Sequence, residues 1–213
     1  MNHRMRYLVS QANLGKLDTQ LALQCAPVIL GLKISNILIV DSIYKNTVKC
    51  IFHNTELSSH LLFKNNSQVI FLIYYPQALQ NYLREDSIRE MMQWFGYQSL
   101  SLQQVLAELA CRYAVSLNTK RRFPHELGLI LGYPFEDVMG FIQNKGKACL
   151  YSGYWKVYKD LERSLQTFAR YEKAKILVLS WVLQGGSIRA ILTFRKDKKK
   201  DFRNYSKRVI DKI

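Results

Sequence analysis

The segment from residue 60 to residue 76, HLLFKNNSQVIFLIYYP, decides the class of fold. Two apolar runs flank KNNS, a short polar stretch rich in turn formers, so the spacing predicts a β-hairpin. Pro76 ends the second strand and suits the first turn of a helix through PQALQNYLRE. Helical spacing continues at about 86–95 and 101–116, with Ser99 or Ser101 as the cap of the second. A long apolar stripe from 160 to 183 runs through Leu161, Leu165, Phe168, Ile176, Leu179 and Leu183, and Gly185-Gly186 stops it. Strands and helices do not alternate regularly, and the clearest strand pair is a hairpin. The expectation is therefore an α+β fold, a helix-rich single domain with a small antiparallel sheet.

Upstream, NILIV from Asn36 reads as strand or helix, and Asp41 as the N-cap of a helix through Phe52. Downstream, YSGYWKVYKD reads as a strand with aromatics at alternate positions. The stretch FPHELGLILGYPFEDVMGFIQNKGK reads as two helices from Pro124 to about Asn144, broken at Gly132–Pro134, with Gly146 as C-cap.

The chain has 213 residues, 48% hydrophobic, a composition suited to a packed core. No apolar run reaches the roughly 18 residues of a membrane span, and the N-terminus lacks the apolar stretch of a signal peptide. A soluble cytoplasmic protein with no membrane partner is expected. Lys and Arg number 31 against 16 acids, a net charge of +15. Nine of those bases lie in residues 195–213, so a domain over 1–194 and a basic C-terminal tail are expected. Such charge suits an acidic partner, whether nucleic acid, an anionic membrane face or an acidic protein, of which nucleic acid and protein are the ones expected. The four cysteines show no zinc spacing and no disulfide framework, and neither cofactor nor metal is expected.

One cysteine stands out. In LALQCAPVILGLK, residues 21–33, Pro27 disfavours helix at Ala26 and suits the start of a new one. Cys25 would then sit at a helix N-terminus, where the dipole favours a thiolate. His125, which opens a helix, is the best base; Asp137 is the preferred orienter, with Glu126 in reserve. Gln20 or Gln24, with the N–H of Cys25, could donate to an oxyanion. The plainer reading makes Cys25 a small core residue, and the two carboxylates mere dipole partners of their helices.

The strings CAPVILGLK, HELGLILGYPFEDVMGF and GYWKVY resemble a domain-of-unknown-function family of small proteins from anaerobic bacteria. Its pattern reads C-A-P, then H-E-x-G-x-x-L-G-Y-P-x-x-D-V-x-G-F, then G-Y-W-K-V-Y. One branch resembles a papain-like, amide-forming protein of closthioamide-type polythioamide antibiotic biosynthesis. That resemblance implies a papain-like arrangement and transfer of a thioester-held acyl group from an acidic acyl carrier protein to a small amine, or to water. Cys25 would accept the acyl group and His125 would be the base. The alternative expectation is a non-catalytic basic module that binds nucleic acid or an acidic protein.

Overall fold

The computed structural model describes residues 3–119 and 123–197, the last three by backbone alone. Helices α1 (His3–Gln11) and α2 (Leu17–Ile29) lead into strand β1 (Ser35–Asp41). A 3-10 turn (Ser42–Tyr44) and α3 (Lys45–Phe52) precede the hairpin β2 (Ser58–Lys64) and β3 (Gln68–Tyr74). Then come α4 (Pro76–Tyr82), α5 (Asp86–Trp94), α6 (Leu102–Asn118), α7 (Leu127–Ile130) and α8 (Phe135–Gln143). Strands β4 (Tyr151–Ser152) and β5 (Lys156–Val157), then α9 (Leu161–Leu183) and α10 (Ile188–Asp197), complete the order. The fold is α+β, with a three-stranded antiparallel sheet and a second sheet of two strands.

The expected hairpin is present, and its turn is closed by Asn65, whose Oδ1 accepts from the N–H groups of Ser67 and Gln68 at 3.0 and 2.8 Å. Sheet order is β1-β3-β2, so β3 is central. Its unbroken apolar run follows from that position. Val69, Phe71 and Ile73 enter a core shared with α2, α9 and α10, while Ile70 and Leu72 enter a core built with α4, α5, α6 and α7. Each successive side chain of a strand points to the opposite face, so a strand covered on both faces must be apolar throughout. NILIV is strand β1, and Asp41 caps the 3-10 turn that precedes α3, accepting from Ile43 N at 2.9 Å.

Two local readings are corrected. Pro27 does not start a helix; α2 runs through it. An interior proline costs about 3 kcal/mol. Here the neighbouring Cys25, Ala26, Val28 and Ile29 are all fully buried, and their packing offsets that cost. The Gln24 carbonyl, beside the one that Pro27 leaves without its helical donor, accepts from Asn36 Nδ2. α2 ends at Ile29 and is closed by Gly31, with φ 74°, where Leu32 N donates to Pro27 O and Gly31 N to Val28 O. The second correction is YSGYWKVYKD, which is not one strand. It folds back at Gly153 into the β4–β5 pair, and a Cβ at Gly153 would lie 2.3 Å from Phe168.

The basic tail expected at 195–213 lies, beyond residue 197, outside the described residues. Among the described residues no single helix is long and apolar enough to cross a membrane.

Candidate functional site

Because α2 continues, Cys25 lies in its third turn and not at its N-terminus. The side chain is 0% exposed, and its Sγ–H faces the Ile37 carbonyl at 3.8 Å. Burial pushes the thiol up to about 12, opposed by nearby Lys33 and by a hydrogen bond from Asn36. The helix dipole that would have favoured a thiolate acts at Leu17, two turns away.

Gln20 and Gln24 also find structural partners. β1 is an edge strand, and Gln24 covers that edge: its Nε2 donates to Ile39 O and its Oε1 accepts from Ile39 N, both at 2.9 Å. One side-chain amide thus imitates a neighbouring strand. Gln24 Nε2 also donates to Gln20 Oε1 at 2.8 Å, and Gln20 donates to the Leu14 carbonyl.

The carboxylates divide in the same way. Glu126, 3% exposed, turns toward α6, where its Oε1 accepts from Arg112 Nη1 at 3.2 Å and from the Tyr97 hydroxyl at 3.3 Å. Burial and the Glu126 charge hold the Tyr97 hydroxyl well above its ordinary value. Asp137, 2% exposed in the first turn of α8, gathers three donors: Trp155 Nε1 at 2.7 Å, Tyr158 N at 2.7 Å and Lys159 N at 3.0 Å. It fastens the β5 segment onto α8.

His125 sits in the turn before α7, half-buried, with its ring edge-to-face on Phe141 at 5.3 Å. There it lines a cavity of about 440 Å³. The walls are largely aromatic: Tyr113, Phe123, Tyr133, Phe141 and Trp155, with Ile37 of β1 and Val138 of α8. Tyr133 stacks on Trp155 at 5.2 Å, and Trp155 meets Phe168 of α9 edge-on at 4.5 Å, so this wall is braced from behind. His125 and Lys156 supply nitrogen to the lining, and Asp137 borders it. The structure therefore brings His125 and Asp137 to one cavity. Cys25 is absent from the described residues that line it.

Sequence reasoning missed Lys33 and Asn36. The Lys33 side chain is buried, and its Nζ donates to Asn36 Oδ1 at 2.6 Å. The signal was legible: Lys33 is the single charge in VILGLKISNILIV. Among the described residues no group of three or more His, Cys, Asp or Glu side chains could hold a metal ion.

Residues 21–192 match the family described as a protein of unknown function, DUF3793. No curated protein and no solved structure matches the chain.

Proposed function

The chain belongs to the DUF3793 family of proteins of unknown function, and we propose that it binds an acyl group, as a carboxylate or thioester with an apolar body, in the cavity beside His125. The observation that carries this reading is the lining: a chamber of about 440 Å³ with apolar and aromatic walls, two basic side chains, His125 and Lys156, and one carboxylate, Asp137, already held by Trp155 and two backbone N–H groups. Ligand sites for small molecules share this pattern of apolar enclosure with few polar fixing points. The aromatic walls hold the body by area. The Lys156 ammonium donates to Gly146 O at 2.6 Å, and with three N–H groups it can also donate to a carbonyl or carboxylate oxygen beside the imidazole-lined wall. The net charge of +15 favours an anionic ligand or carrier.

Cysteine-dependent acyl transfer, with Cys25 as acceptor and His125 as base, builds on the same cavity but requires more. The thiol must leave a fully buried, proton-holding position inside α2. The geometry supports acyl-group binding better than it supports transfer, and better than a nucleic-acid role for a tail outside the described residues.

Calorimetric titration with medium-chain and aryl carboxylates, beside the matching alcohols, tests this. Saturable carboxylate binding is expected, weakened roughly tenfold in Lys156→Met while the alcohol is unaffected. No saturable binding, or acids and alcohols bound alike by wild type and variant, overturns it. A mass increment on Cys25 after incubation with acyl thioesters would establish the transfer step instead of simple binding.

A further inference from the structure

The most unusual charged group lies outside that cavity. Lys33 is 7% exposed, although lysines are almost never buried without a partner acid. Among the described residues no carboxylate stands within ion-pair distance of its Nζ. The nitrogen donates to Asn36 Oδ1 at 2.6 Å and rests over the Tyr133 ring, 4.9 Å from its centroid. The turn at Gly31, with its positive φ, carries the chain from α2 into this position. Lys33 also lines a second cavity, of about 740 Å³, between the α2–β1 loop and the start of α4.

The ionisable groups around it are the Cys25 thiol of α2, the Lys175 amine of α9 and the Tyr133 phenol, while Glu56 lines the same cavity without pairing with Lys33. Neither Cys25 nor Lys175 supplies a stable negative charge. Lys175 is paired with Glu172 at 3.5 Å and adds positive potential. Burial, with Lys175 in support and Cys25 opposing, brings the Lys33 amine down to about 7. A desolvated lysine beside another cation holds its proton weakly and exposes its lone pair in a large share of molecules at neutral pH, which is how amine nucleophiles are made.

We propose that Lys33 is an imine-forming amine for a small aldehyde or ketone. Its Nζ adds to the carbonyl carbon, and the carbonyl oxygen takes a proton to give a carbinolamine. That oxygen then leaves as water, carrying both protons of the original amine, and a C=N bond remains. Asn36 Oδ1 aims the nitrogen, and when the imine nitrogen takes a proton from water the Tyr133 face accommodates the iminium charge. The proposal does not rest on the acyl-binding reading, although Tyr133 is a wall of that cavity as well as a neighbour of Lys33.

The test is reductive trapping. Native protein at pH 7 is treated with butanal and cyanoborohydride, and early adducts are mapped by peptide mass spectrometry. Lys33 is expected to be alkylated roughly tenfold or more ahead of solvent-exposed lysines such as Lys49 and Lys145, because burial without a partner acid leaves a large share of its amine uncharged at that pH. The lead should shrink at pH 10, and Asn36→Ala should slow Lys33 alone. Lys33 modified no faster than exposed lysines at pH 7, or modified only in urea, overturns the proposal. Mapping on the wild type makes the result independent of whether a Lys33 variant folds.

Discussion

Trp155 donates its indole N–H to the Asp137 carboxylate at 2.7 Å, and that bond ties the aromatic wall of the cavity to the first turn of α8. The same carboxylate holds two backbone N–H groups of the following segment. Asp137 is thus a positioning residue for the cavity, whatever chemistry occurs there.

Its removal should cost stability. Asp137→Ala leaves three donors without their acceptor, a loss of about 3 kcal/mol in urea unfolding. Asp137→Asn should also destabilise, since one amide group cannot accept from all three. An unchanged unfolding midpoint in both variants would show that these bonds do not hold β5 in place.

Thiol labelling separates the two views of Cys25. Iodoacetamide at neutral pH should label exposed Cys50 and Cys111 first and reach Cys25 only on unfolding. Early labelling of Cys25 in native protein would show that α2 opens readily, and would restore the thiol as a nucleophile.

The buried pair should shape stability against pH. Lys33 falls from 10.5 to about 7 on folding, so between those values the unfolded chain binds more protons and stability rises with pH. Below pH 7 both states are protonated and the penalty is complete and constant. Cys25 rises from 9.0 to about 12, so above pH 9 the folded chain holds the extra proton and stability falls. The sum is a rise from pH 7 to about 9, a near-plateau to about 10.5, then a decline. Lys33→Met should raise stability at pH 7 by on the order of 2 kcal/mol or more and abolish the rise. A wild-type profile already flat between pH 7 and 9 would mean that the Lys33 amine stays charged in the folded protein.

What was legible in the sequence was local. The β2–β3 hairpin, the helix opening at Pro76 and the long α9 each follow from turn chemistry or period within one segment. Pro27 misled because the rule for proline is local, whereas the packing that keeps α2 intact is tertiary. Cys25 was misplaced with it. Gln24 reads as an oxyanion donor in the sequence because the edge strand it covers begins some ten residues later in the chain, and Gln20 does because its bond to Gln24 shows only in the folded helix. The aromatic alternation of YSGYWKVY hid a fold-back at Gly153, where the Phe168 ring leaves no room for a Cβ. His125 and Asp137, paired in the sequence reading as base and orienter, both line one cavity. The donors that claim Asp137 come from Trp155, Tyr158 and Lys159, which no spacing rule connects to it.

Acyl-group binding is tested most directly at the indole N–H of Trp155. In 15N-labelled protein the three tryptophan indole signals, with Trp94→Phe and Trp181→Phe assigning the other two, can be followed during titration with a medium-chain carboxylate. Trp155 lines the cavity, while Trp94 and Trp181 are exposed elsewhere. The account predicts a saturable shift of the Trp155 signal alone. A Trp155 signal that stays fixed at millimolar ligand, or shifts confined to Trp94 or Trp181, would contradict it.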